Sequence, residues 1–234
     1  MNHLYEQLTV LKLKVLRDAL RNQNAQPNTY QELGFEERLS LLIAEELTNR
    51  ENKKAERLIK QAKFRLNAEL LELDYRSSRG IEKTLIRSLS QGSWLSLKQN
   101  LLLTGATGNG KTYLACALGH NACRQGYKVY YFRLKSLMEL CYQGHADGRY
   151  GKLLTKLNHT VLLLLDDWGL EPFLSEQRSD LLEIIDLMYQ KGSIIVVSQL
   201  PIENWYKMIG DSTHADAILD RKRHWNHTVR LCVV

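Results

Sequence analysis

The stretch Asn100 to Thr112, NLLLTGATGNGKT, constrains this chain more than any other. Leu101, Leu102 and Leu103 form a short apolar run, a glycine-rich segment follows, and a helical pattern from Tyr113 to Gln125 comes next, with Gly126 placed to end it. Gly105, Gly108 and Gly110 let the backbone turn tightly and aim its N–H groups into a concave nest, and the opening turn of the helix adds the positive end of its dipole. That is a phosphate-binding loop. The stretch expected to touch a nucleotide is Gly105, Ala106, Thr107, Gly108, Asn109, Gly110, Lys111, Thr112 and Tyr113. Lys111 is expected on the β- and γ-phosphates, and the Thr112 hydroxyl on Mg²⁺. The spacing G-x-x-x-x-G-K-S/T arises by chance in only about one chain per hundred of this length.

From Asn100 onward, strand and helix patterns alternate, which predicts an α/β domain with a parallel sheet covered by helices on both faces. Strands are expected at Lys128–Phe132, Val161–Asp167, Ser193–Val197 and Thr228–Val233, with helices between them. The run VLLLLDD is apolar up to its last two residues, so it reads as a buried strand that delivers carboxylates to the C-terminal edge of the sheet, beside the phosphate loop. Asp166 is expected to hold Mg²⁺ and Asp167 to orient the attacking water. At the tip of the next strand, Gln199 is the first candidate to contact that water or the γ-phosphate, and Ser198 the second. Arg221 is a candidate for a cation that neutralises transition-state charge. His224 and His227 have a ligand-like interval but no evident further ligands, so they read as structural or exposed.

Residues 1–66 read as a small all-α domain. Leu4, Leu8, Leu11 and Val15 recur at helical spacing, Thr29 with Glu32 suggests a capping box before a second helix, and Leu39, Leu42, Ile43 and Leu47 continue it. A third helix carries Ala55, Leu58, Ile59, Ala62 and Leu66 on one face and Lys53, Lys54, Arg57 and Lys60 on the opposite one. This basic face is either a solvated surface or a DNA contact. Residues 67–99 read as a connector and residues 100–234 as the nucleotide-binding domain.

The net charge of +6 makes a polyanionic partner plausible without establishing one. The purely apolar runs, such as Val161 to Leu165, are far too short to span a bilayer, and a cytoplasmic location is expected. The four cysteines form no C-x-x-C pair and are expected to be reduced. The only Asn-Lys pair, Asn52-Lys53, lies before the phosphate loop and is not followed by the Asp of a guanine-reading motif, which argues against a GTPase.

The phosphate loop with ALGHNAC after it, LLLDDWGL, SQLP followed by a Trp, IGDSTHADAILDR and the upstream GFEERLSLL together resemble the IstB-like transposition-helper ATPases, a branch of the AAA+ superfamily. The resemblance covers nearly the whole chain. It implies a three-layer α-β-α domain with strand order 5-1-4-3-2, ATP and Mg²⁺ as cofactors, ATP bound between subunits of a homo-oligomer, and assembly on duplex DNA to present a target to a transposase. It makes Lys111 and Thr112 the Walker A residues and Asp166 and Asp167 the Walker B pair. Gln199 or Ser198 falls at sensor 1, and Arg221 at the arginine finger. After Arg221 the sequence departs from the family, with Lys222-Arg223 in place of apolar residues, and a sensor-2 residue is not expected. Replicative helicase loaders of the same branch are the nearest alternative, from which the D-W-G and S-Q-L-P wording points away. An ATP-bound DNA clamp with little turnover is another.

Overall fold

A computed structural model describes residues 2–75, 81–220 and 227–231. The chain divides into two compact units, Met1–Glu56 and Arg57–Val234.

In the first unit, α1 (Asn2–Val10) and α2 (Lys14–Ala25) replace the single helix that the Leu4–Val15 spacing predicts. Lys12, at φ +60°, breaks the periodicity with a left-handed residue that a count of apolar positions does not register. A short helix α3 (Pro27–Tyr30) follows, and then α4 (Phe35–Ala62), in which the expected second and third helices are one uninterrupted element. The helix start also falls later than Thr29 suggests: the Glu37 carboxylate accepts the Gly34 N–H at 2.9 Å and caps α4 instead. Within this unit Glu46, nearly buried, accepts the Leu16 N–H at 3.1 Å and Arg50 Nε at 2.7 Å. Its carboxyl is held below the usual range chiefly by Arg50.

The second unit is built on five parallel strands: β1 (Leu101–Gly105), β2 (Val129–Arg133), β3 (Leu162–Trp168), β4 (Ser193–Ser198) and β5 (His227–Leu231), in the order β5-β1-β4-β3-β2. That is the expected order. The strands are apolar on both faces because both faces are covered. Leu101, Leu103, Leu162, Leu164, Ile195 and Val197 pack towards α7 (Lys111–Arg124). Leu102, Leu163, Leu165, Ile194 and Val196 pack on the other side, with α8 (Leu134–Asp147), α9 (Tyr150–Asn158) and α10 (Ser175–Met188). Gly126, at φ +85°, ends α7 as its position predicts.

The segment before β1 is not a loose tether within this unit. Leu58 and Ala62 of α4 lie in the same core as α7, and Phe64 packs its ring on His120 with centroids 4.4 Å apart. Two helices that polar composition hid, α5 (Lys83–Ser90) and α6 (Ser93–Ser96), bury Ile86, Leu89, Trp94 and Leu95 there. Beyond β4, α11 (Trp205–Ile209) and α12 (Ser212–Asp220) bury Trp205, Ile209, Ala215 and Ile218 in the opposite core. Cys116, Cys123 and Cys141 are buried free thiols; Cys232 lies outside the described residues. Among the described residues no helix is long and apolar enough to cross a membrane.

Candidate nucleotide-binding site

The C-terminal ends of β1, β3 and β4 meet at a cleft of about 530 Å³, lined by the phosphate loop, the start of α7, Asp166, Asp167, Ser198 and Gln199. Gly105, Gly108 and Gly110 have φ of 145°, 86° and 81°, so each of the three predicted loop glycines takes a backbone state that a side chain would strain. Nothing lies within 4 Å of the place where a Cβ of Gly108 would sit, which leaves its backbone open on the cleft side. Lys111 is almost fully buried and donates from Nζ to the Ala106 carbonyl at 2.7 Å, a contact that curls the side chain back over its own loop. Burial draws its pKa below the ordinary lysine value, and the charges of Asp166 and Asp167 resist that pull.

Opposite the loop, Asp166 is 1% exposed and fully satisfied. Thr112 Oγ1 donates to its carboxylate at 2.9 Å, Tyr131 OH at 2.7 Å, and the Asp167 N–H at 2.9 Å. A carboxylate and a hydroxyl held this close offer the hard oxygen donors that Mg²⁺ takes, so the pair fits the ion expected there. Tyr131 was not among the sequence candidates. It lies on β2 with nothing in its neighbourhood in sequence to single it out, and only parallel pairing of β2 with β3 brings it beside Asp166.

Asp167 owes its place to an irregularity. Along a regular strand, Asp166 and Asp167 would point to opposite faces. The β3–β4 register shifts between Leu165 and Trp168, and Asp167 itself sits at φ +60°. This bulge turns the second carboxylate to line the same cleft as the first. Arg133 Nε approaches it at 3.3 Å and Arg65 Nη1 at 3.8 Å. Both arginines line the cleft and both escaped the sequence reading, although Arg133 stands directly across from Asp166 in the β2–β3 register.

The two candidates at the tip of β4 have different surroundings. Ser198 is buried, donates to the Trp168 carbonyl at 3.0 Å and accepts the Leu200 N–H at 3.0 Å. Its hydroxyl thus ties the ends of β3 and β4 together. Gln199 faces the loop, where its Oε1 accepts the Thr107 hydroxyl at 2.8 Å. Trp205 packs its ring, tilted by 32°, against Trp168 with centroids 4.7 Å apart and helps to fix the turn beyond, which gives S-Q-L-P and the Trp after it a structural purpose. Tyr113 lines the cleft, but its hydroxyl donates to Glu72 at 2.8 Å. Arg221, with Lys222 and Arg223, lies outside the described residues. Lys53, Lys54, Arg57 and Lys60 are all exposed on α4 and are not among the residues that line the cleft.

A glycine loop after β1, an acid pair ending β3 and a polar tip on β4, in a sheet ordered β5-β1-β4-β3-β2, define a P-loop nucleotide-binding protein of the AAA+ fold. Residues 6–232 match the family of IstB-like ATP binding proteins, and the chain belongs to that family. It is 46% identical over 200 residues to the ATP-binding protein of insertion sequence IS1162 from Pseudomonas fluorescens, covering 85% of this chain and 86% of the relative. It is 43% identical over 201 residues to the insertion sequence ATP-binding protein y4pL of Sinorhizobium fredii, covering 86% and 82%. Among solved structures, the DnaC helicase loader superposes with a TM-score of 0.53 at 24% identity, over 63% of this chain and 86% of that one, a likeness of fold.

Proposed function

We propose that the chain is an ATP-hydrolysing helper of insertion-sequence transposition, which assembles as a homo-oligomer on duplex DNA in the cytoplasm and presents the target to its cognate transposase. The observation that carries this reading is the convergence of Lys111, Thr112, Asp166, Asp167 and Gln199 on one cleft, in a chain akin to insertion-sequence ATP-binding proteins. ATP with Mg²⁺ supplies the scissile phosphoanhydride. Lys111 leaves the Ala106 carbonyl to bind the β- and γ-phosphates, while Thr112 and Asp166 hold the metal ion. Asp167 orients the attacking water, and Gln199 reports on the γ-phosphate from the end of β4. Ser198, whose hydroxyl is already bonded at both ends, supports Gln199 rather than touching the nucleotide. Arg221 reaches the nucleotide of a neighbouring subunit, so turnover depends on assembly. The exposed Lys53, Lys54, Arg57 and Lys60 contact DNA phosphates, which makes binding salt-sensitive and nearly independent of sequence.

The likeness to a helicase loader is one of fold alone, and the relatives named for insertion sequences favour transposition. Sedimentation of the protein with duplex DNA, with and without ATP and Mg²⁺, alongside phosphate release, tests the proposal. ATP-dependent co-sedimentation with DNA-stimulated turnover is the expected result. Assembly without turnover would identify a nucleotide-locked clamp, and failure to associate with DNA would remove the transposition reading. Arg221→Ala is expected to leave ATP binding by the monomer intact and lower turnover only in the assembled state.

A further inference from the structure

Strand β2 is one of the two edge strands of the sheet and, among the described residues, pairs with β3 alone. Three lysines from three separate elements gather at it. Lys156 of α9 places its ammonium 4.1 Å from the centre of the Tyr130 ring, and Lys128, just before the strand, places its own at 5.5 Å. Lys63, one residue beyond α4, is near enough for its charge to act on Lys156 together with that of Lys128. The Tyr130 hydroxyl accepts the Gln61 amide at 2.9 Å, which fixes the ring that the two ammonium groups share. Among the described residues, no carboxylate forms an ion pair with any of the three lysines. Other exposed cations of this unit do have carboxylate partners: Lys135 pairs with Glu171, Arg149 with Asp147 and Arg124 with Glu69. Burial and the two neighbouring lysines lower the pKa of Lys156, the expected mark of cations held together without a counter-ion.

We propose that Lys63, Lys128 and Lys156, gathered around Tyr130 at the β2 edge, form a contact for the phosphate backbone of duplex DNA on the nucleotide-binding unit. The inference rests on the DNA-assembly reading above and names a surface other than the basic face of α4. Two features select the ligand. Tyr130 is only 2% exposed, so its ring orients the ammonium groups but offers no face on which an unpaired base could stack, as a single-strand binder requires. Ammonium groups are point charges without the fork that reads carboxylates or base edges in pairs, so they suit a row of phosphates and carry no sequence preference. A bland alternative is that lysines guard an exposed strand edge against pairing with other chains. Lys156 speaks against it, since it lies on a covering helix over the sheet face and not on the edge strand.

The test is the affinity of the full chain for duplex DNA, by fluorescence anisotropy with ATP and Mg²⁺ at several salt concentrations. Wild type is compared with Lys63→Gln/Lys128→Gln/Lys156→Gln, and ATP affinity serves as the check on folding. The expected result is an affinity lower by about ten- to a hundredfold and a log–log salt slope shallower by about 2 to 3, with ATP binding unchanged. Should the glutamine variant aggregate, Lys128→Glu keeps a charge at the edge and is expected to lose DNA affinity all the more. Unchanged affinity and slope in a variant, with wild type binding DNA, would overturn this surface and leave the functional reading standing. No duplex binding by wild type would overturn both. A variant that binds DNA normally but no longer acts with a transposase would give the surface to a protein partner and refute the DNA contact.

Discussion

The Thr107 hydroxyl donates to Gln199 Oε1 at 2.8 Å, so one side-chain bond joins the phosphate loop to the tip of β4. The two residues are 92 positions apart, and both line the cleft. Gln199→Ala is expected to slow single-turnover phosphate release by about a hundred- to a thousandfold, the range for losing one aligned polar contact at developing charge. ATP affinity should change little. Ser198→Ala, by contrast, should lower the thermal midpoint through the loss of its bond to the Trp168 carbonyl. Equal and large losses of turnover in both variants, with stability unchanged, would give Ser198 a direct role.

On the proposed mechanism the two acids have separate functions. Asp167→Asn should retain ATP binding and abolish turnover, whereas Asp166→Asn should also weaken the Mg²⁺ dependence of binding, because Asp166 is the acid bonded to Thr112. Equilibrium binding with and without Mg²⁺, paired with phosphate release, distinguishes them.

Tyr131 donates to the Asp166 carboxylate at 2.7 Å, and its proposed role is to position that acid. Burial, then the Asp166 carboxylate, holds its hydroxyl protonated well above the usual tyrosine range, so it acts as a donor at all ordinary pH values. Tyr131→Phe is expected to fold and to reduce Mg²⁺ affinity by about tenfold, as loss of a hydrogen bond behind a metal ligand typically does. Titration of Mg²⁺ at fixed ATP would reveal it, and an unchanged Mg²⁺ requirement would remove the role.

Nucleotide affinity should fall with rising pH sooner than an ordinary lysine would allow. Lys111 has a folded-state pKa lowered from 10.5 by burial, and only its charged form binds phosphate. Affinity is therefore full below that lowered value and declines as pH rises through it. In the nucleotide-free protein the sign is reversed for stability: between the folded and unfolded values the unfolded chain binds more protons, so the fold gains stability as pH rises there. Calorimetric ATP titrations across the alkaline range check the first effect. Lys111→Arg, which stays charged, should bind more weakly but with a flatter pH profile.

Gly192 closes the turn from α10 into β4. An added Cβ would lie 2.8 Å from the Val161 carbonyl and 3.0 Å from that of Thr160. Backbone carbonyls bonded into the sheet, such as Val161 O to the Ser193 N–H, have little room to move. Gly192→Ala is expected to destabilise the protein by about 1–3 kcal/mol, lowering its thermal midpoint by several degrees.

The sequence by itself determined the phosphate loop, the alternation of strands and helices, the order of the strands through the resemblance, and the acid pair at the end of an apolar run. These are local patterns: glycine positions, short continuous apolar runs and a polar residue ending a hydrophobic strand are all decided within a dozen residues. Tertiary structure alone decided the rest. Tyr131 and Arg133 reach the acid pair because β2 lies beside β3, and Arg65 because the chain beyond α4 packs on α7. Asp167 lines the cleft because of a bulge with a left-handed residue, against the alternation its position predicts. The choice between Ser198 and Gln199 likewise rests on which hydroxyl or amide has other partners, and hydrogen-bond partners distant in sequence leave no periodic trace. Lys63, Lys128 and Lys156 are unremarkable in three separate segments, and their charges become one feature only where the fold brings them to a single ring.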